Sequence, residues 1–197
     1  MSDKDFVITT QDEARKLSKL KEVVIEPLTL YNEDIPLLKE VMPEYTDPIP
    51  NDEMTILTQR MRMTMKKYGG IGLSANQCGI KARVFVIGTD QFQIVCINPK
   101  IISKSDEMER DREGCLSAPG LFLPVSRHTS IKTEFTDENG ETKQVEFFGL
   151  TARCFQHELD HLNGIFYTSL ASKVSLDMAR RRQKKVLRKY MKGQNVL

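Results

Sequence analysis

TARCFQHELDHLNG, residues 151–164, is the stretch on which the reading of this chain turns. His157 and His161 stand four apart. In an α-helix that spacing puts two side chains on one face, so both imidazoles can reach a single metal ion. Glu158, next to the first histidine, is then close enough to take a proton from a metal-activated water. The residues leading in (Leu150, Ala152, Cys154 and Phe155) are apolar or small, so the helix reads as buried. Two histidines and two acids in a buried helix need partners, and a metal supplies one. A pattern with three fixed positions also arises by chance, so the rest of the chain has to support it.

Working outward, the sequence predicts a helix that begins near Thr151 and carries residues 152–163. Ahead of it, residues 129–136 and 142–148 alternate as strands around the turn signal Glu138-Asn139-Gly140. Arg83–Gly88 and Gln93–Asn98 are short runs rich in β-branched residues and read as two more strands. Asn51 or Asp52 can cap a helix whose apolar stripe is Met54, Leu57, Met61, Met65 and Tyr68, and Gly69-Gly70 ends it. The methionines there read as core filler. A last helix is predicted from Ser172 to Met191. Residues 1–50 are broken by prolines and read as an irregular arm, with a short helix near 11–20. The expected class is α+β: mixed or antiparallel sheets around a central HExxH helix, with a C-terminal helix outside. One domain is expected over 1–197, with an N-terminal arm (1–50) and a basic C-terminal helix and tail (172–197).

The chain has 197 residues, 40% hydrophobic and 28% charged, with a net charge of +2, which is ordinary for a globular protein and excludes a wholly basic nucleic-acid binder. No apolar run approaches the roughly 20 residues of a membrane span. Met1–Lys16 lacks both the apolar core of a signal peptide and the acid-poor look of a transit peptide. The expectation is therefore a cytoplasmic protein without a membrane partner. None of Cys78, Cys96, Cys115 and Cys154 pairs at C-x-x-C spacing, and all are expected reduced.

A catalytic site of this type takes three protein ligands and leaves one position open. One metalloprotease pattern, His-Glu-x-x-His-x-x-Gly-x-x-His, is followed as far as Gly164, but Tyr167 stands where its third histidine belongs. No acid follows His161 until Asp177, so a downstream glutamate ligand is missing too. His128 is isolated and reads as a surface or turn residue. The upstream candidate is Cys115, in Glu113-Gly114-Cys115-Leu116-Ser117. Taken alone it reads as a buried free thiol. Beside two imidazoles it would complete a set suited to zinc or ferrous iron.

Three motifs now stand in order: Gly70-Ile71-Gly72-Leu73-Ser74-Ala75-Asn76-Gln77, then Glu113–Ser117, then Gln156–His161. In that order they resemble the peptide deformylase family, whose motifs have the forms GφGφAAxQ, EGCφS and HExDH. Ser74 departs from the usual alanine. The resemblance spans about residues 52–170. Ser74 and the basic C-terminus also resemble deformylases carried by bacteriophages. The proline-then-arginine-leucine signature usual before the first helix is not evident around Leu30–Glu40.

The resemblance implies a hydrolase that removes the formyl group from the N-terminal methionine of nascent polypeptides and releases formate. It implies one divalent metal per chain on Cys115, His157 and His161, with ferrous iron favoured as the native ion and zinc, nickel or cobalt also accepted. Glu158 would be the proton carrier, and the Gln77 amide with the Leu116 backbone N–H would stabilise the oxyanion. Ile71, Gly72 and Gly114 would contact the substrate. Asp160 is expected behind the ligands, paired with Arg127. A general HExxH peptidase and a non-catalytic, metal-stapled ribosome-binding protein are the competing readings. The first lacks its downstream ligand, and the second has no need of Glu158.

From Arg180 to Lys192 there are eight basic residues and no acid. Cations suit a helix C-terminus, but eight exceed what a cap needs. The resemblance implies a substrate leaving the ribosome, where some members of the family dock through a C-terminal helix, so residues 180–192 are expected to contact ribosomal RNA through its phosphates. The protein, in the cytoplasm of a bacterium or of a phage host, is expected to be a monomer.

Overall fold

Phe85 and Ile87 point to one side of a strand while Val84 and Val86 point to the other, and all four are buried. The strand is therefore covered on both faces, and the computed structural model, which describes residues 25–193, shows by what. Helix α1, Asp52–Lys67, packs Met54, Met61 and Met65 on Val84, Val86, Val95 and Ile97. Helix α2, Gly149–Leu162, packs Ala152, Phe155, Leu159 and Leu162 on Phe85, Ile87, Ile131, Phe135 and Phe147. Phe155 sits at the centre, edge-on to Phe85 with ring centroids 5.0 Å apart.

The sheet between the helices has five strands: β1 (Gly72–Ser74), β2 (Val84–Gly88), β3 (Gln93–Lys104), and then, after two strands that leave it, β6 (Ser130–Thr136) and β7 (Thr142–Phe148). Their spatial order is β1-β2-β3-β6-β7, and every pairing is antiparallel. The two that leave, β4 (Met108–Cys115) and β5 (Ala118–His128), pair only with each other as a separate ribbon. Helix α3, Lys173–Gly193, lies against β5, with Ala179 joining Leu121, Leu123, Val125 and Tyr167 in a third apolar cluster. The α+β expectation holds, with antiparallel sheets and a C-terminal helix.

The Asn51 cap is as expected, its side chain accepting from the Met54 N–H at 2.8 Å. Tyr68 falls outside the stripe, about half exposed after the last helical residue. Helix α2 starts two residues earlier than its predicted onset at Thr151, directly from β7 through Gly149. The ribbon β4–β5 was not expected, because Met108–Arg112 are all exposed and carry no apolar alternation. In the arm, residues 25–50 form one short turn of 3-10 helix, Pro36–Lys39, and Val41 bridges to Asn163 at the end of α2. The helix read near 11–20 lies outside the described residues.

Candidate metal centre and active site

Helix α2 is fixed at both ends, by β7 running straight into it and by Asn163 N–H bonding back to Leu159 and Asp160 carbonyls. Its buried face carries His157, Glu158 and His161. Strand β4 ends against that face and delivers Cys115. The Cys115 sulfur and one nitrogen of each histidine lie within 4.8 Å of one another. Cys115 Sγ is 3.3 Å from His161 Nε2. Bond lengths of roughly 2.3 Å to sulfur and 2.0 Å to nitrogen at a tetrahedral angle separate such atoms by about 3.5 Å, so the three donors fit a divalent ion of that size.

Charge supports the same fit. Burial opposes a charge on His157, but hydrogen bonds to Cys115 and Glu113 outweigh it and push the imidazole up to about 10. The space between these groups thus demands positive charge, which a divalent metal supplies. Burial holds His161 well below its usual value, in the neutral form a ligand needs.

Glu113 organises the layer behind. Its Oε2 accepts from His157 Nδ1 at 3.1 Å, leaving Nε2 to face the other ligands. Arg127 grips the same carboxylate with two bonds of 2.8 and 3.0 Å, and Arg153 adds one of 2.9 Å. Burial works against the charge, yet His157 and Arg127 hold Glu113 down at about 2. Arg127 also donates to Asp160, the pairing expected from sequence. Supporting partners of this kind fix the tautomer and orientation of a ligating histidine. The role of Glu113 and the part of Arg153 were missed in the sequence reading. A signal existed: Arg153 precedes His157 by four residues, the same helical spacing that linked the histidines.

Glu158 is 3% exposed, and its Oε2 has no hydrogen-bond partner among the described residues. Burial raises its carboxyl to about 7, the value of a group that can take up and return a proton near neutrality. Gly72 lies against it: a Cβ there would come within 2.3 Å of Glu158 Oε1 and 2.7 Å of Cys154 Sγ. The glycine is required by that approach.

Gln77 has its amide orientation fixed. Its Oε1 accepts from Ser74 N–H at 2.9 Å and from Ser74 Oγ at 3.1 Å. Nε2 therefore faces the site, donating to Ser117 Oγ at 3.1 Å and towards Cys115 Sγ at 3.3 Å. The serine that departs from the family's alanine thus adds a second donor behind the amide. We expect Ser74→Ala to lower kcat a few-fold, about the worth of one hydrogen bond of ~1 kcal/mol, with KM unchanged in steady-state assays. An unchanged kcat would show that the backbone N–H alone holds Gln77.

These groups line one side of a cleft of about 500 Å³. Ile71 (43% exposed), Leu116, Phe122 and Leu150 form its apolar walls, with Gly72 and Gly114 between them. All nine residues expected at the site lie in this region except that His161 sits behind the cleft wall, fully buried. His128 is not among them; it ends β5, half-buried, with Nδ1 2.6 Å from Ser105 O.

Comparison with known proteins returns one family. The family model described as "Polypeptide deformylase" matches residues 6–176. A peptide deformylase from Rhizobium meliloti is 36% identical over 167 residues, 81% of this chain and 92% of that protein. Among solved structures, a peptide deformylase from Synechococcus elongatus in complex with actinonin superposes with a TM-score of 0.76 at 34% identity, covering 80% of this chain and 86% of that one. One from Legionella pneumophila gives 0.76 at 30% identity, covering 84% and 98%.

Proposed function

The chain belongs to the polypeptide deformylase family, and from that membership we propose the part that each residue of the site plays. The family activity is its activity: metal-dependent hydrolysis of the N-formyl group from the formyl-methionine of newly made polypeptides.

Cys115, His157 and His161 hold one divalent ion. A thiolate with two imidazoles accepts ferrous iron, zinc, nickel or cobalt, and ferrous iron is our choice for the native metal. Bound there, the ion would supply Lewis acidity, which in well-studied zinc sites lowers the pKa of water to roughly 7. Glu158 takes the proton of the attacking water at Oε2 and returns it to the departing amine nitrogen. Gln77 Nε2 and the Leu116 backbone N–H donate to the oxyanion that forms on the former formyl oxygen. Ile71 covers the methionine side chain, and the backbone at Gly72 and Gly114 lies along the peptide.

The observation that carries this reading is the convergence of three ligand atoms, two of them (on Cys115 and His157) in the cleft that Glu158, with its buried, unpartnered carboxylate oxygen, also lines. The test is formate release from formyl-Met-Ala-Ser by protein stripped with a chelator and then reloaded. Stripping should cost at least about a hundredfold, and ferrous iron should restore the highest rate. Undiminished release by metal-free protein would overturn the reading.

We read the protein as a one-domain cytoplasmic monomer. No described helix is long and apolar enough to cross a membrane. The ribosome reading of the tail takes a narrower form. Arg180 is engaged, donating to Glu33 Oε1 at 2.6 Å, and Gln183 is buried with its amide on the Pro119 carbonyl. Arg181, Arg182, Lys184, Lys185 and Arg188 are exposed and are, among the described side chains of the tail, available to phosphates. Changing those five to Gln should abolish salt-sensitive co-sedimentation with ribosomes, leaving peptide deformylation intact. Equal co-sedimentation by the variant would end the proposal.

A further inference from the structure

Four arginine and glutamate side chains line the cleft: Arg112, Glu113, Arg153 and Glu158. Glu113 and Arg153 are bonded to each other and face the ligands from behind, and Glu158 carries the proton. Arg112 has no such employment. It is exposed on β4, and its guanidinium makes no ion pair among the described residues. The neighbouring acid does not neutralise it, since Asp111 Oδ1 accepts instead from the Arg112 backbone N–H at 2.6 Å. What holds Arg112 is Phe122: the guanidinium carbon lies 5.3 Å from the centre of that ring, itself part of the cleft wall. Stacking on an aromatic face steadies a guanidinium while leaving the N–H groups at its edge able to bind a carboxylate.

Its distance along the strand says which part of a substrate it meets. Arg112 precedes the ligand Cys115 by three residues, about 10 Å at a strand rise of roughly 3.3 Å per residue. An extended peptide with its formyl group at the ligands has the same rise, so its third residue comes level with Arg112. We propose that Arg112 is a specificity-determining residue that favours formyl-methionyl chains with an acidic third residue. This rests on the deformylase reading above.

The test compares formyl-Met-Ala-Asp-amide, formyl-Met-Ala-Ser-amide and formyl-Met-Ala-Lys-amide, the amide removing the terminal carboxylate. Wild-type enzyme should prefer Asp to Lys by about five- to tenfold in kcat/KM, expressed in KM, because an exposed pair is worth little and its repulsive counterpart about as much. The preference should fade between about 0.01 M and 1 M salt, as the Debye length falls from roughly 30 to 3 Å. Arg112→Gln should flatten it and Arg112→Glu reverse it. Wild-type indifference to the third residue, or an unchanged Asp-to-Lys ratio in Arg112→Glu, overturns the proposal while turnover of the Ser peptide leaves the deformylase reading standing. Absence of turnover for all three peptides by metal-loaded wild type overturns both.

Discussion

Glu158→Gln is expected to lower kcat for formyl-Met-Ala-Ser by about 10²- to 10⁴-fold, the usual contribution of a positioned general acid–base, while the protein still binds one metal ion. The amide has nearly the volume of the carboxylate, so the close approach of Gly72 survives the change. It cannot take up the water proton. No other carboxylate is ready to substitute, since Glu113, the other acid of the cleft, is saturated by Arg127, Arg153 and His157. Metal content and kcat measured on the same preparation separate this from loss of the ion. A metal-replete variant within tenfold of the wild-type rate would remove Glu158 from the mechanism.

The second large effect is expected at a residue that touches neither water nor substrate. Glu113 is 6% exposed and accepts from two arginines and a histidine. Glu113→Ala leaves Arg127 and Arg153 buried without that partner. Removing one member of a buried ionic group costs about 3–5 kcal/mol, to be read as a fall in the urea midpoint. It also frees the His157 ring to turn, and loss of a ligand's supporting partner costs roughly 10- to 100-fold in metal affinity, to be read by chelator competition. The two readouts distinguish positioning from bulk. A stability loss with unchanged metal affinity would mean that Glu113 only neutralises the arginines.

Much of this arrangement was legible beforehand because its signals are local. The i, i+4 histidines, the Asn51 cap and the Glu138-Asn139-Gly140 turn each occupy a few consecutive residues, and each formed where expected. What stayed hidden depends on partners far along the chain. Strand β4 runs through exposed, mostly charged residues, so no apolar alternation announces it, and the alternation Leu121-Leu123-Val125 in β5 has no partner strand until β4 is seen beside it. Arg153 sits in a run of apolar residues, and its burial makes sense only once Glu113, forty positions earlier, is seen beside it. The serine at 74 reads as a trivial swap until its hydroxyl is found on the Gln77 amide.

The unequal spacing of the proposed metal ligands bears on the order in which the chain matures. Two of them come from one helix, four residues apart, and are side by side as soon as that helix exists. The third arrives on a ribbon that shares no strand pairing with the main sheet. Bringing it in closes a loop of 42 residues (157 − 115), and long-range closure of that kind comes late because its entropic cost precedes its reward. A nascent chain would thus hold a weak, two-nitrogen site first and complete it only when the ribbon docks. Full grip on the ion then reports that the tertiary structure is finished, and the enzyme cannot become active before it is folded.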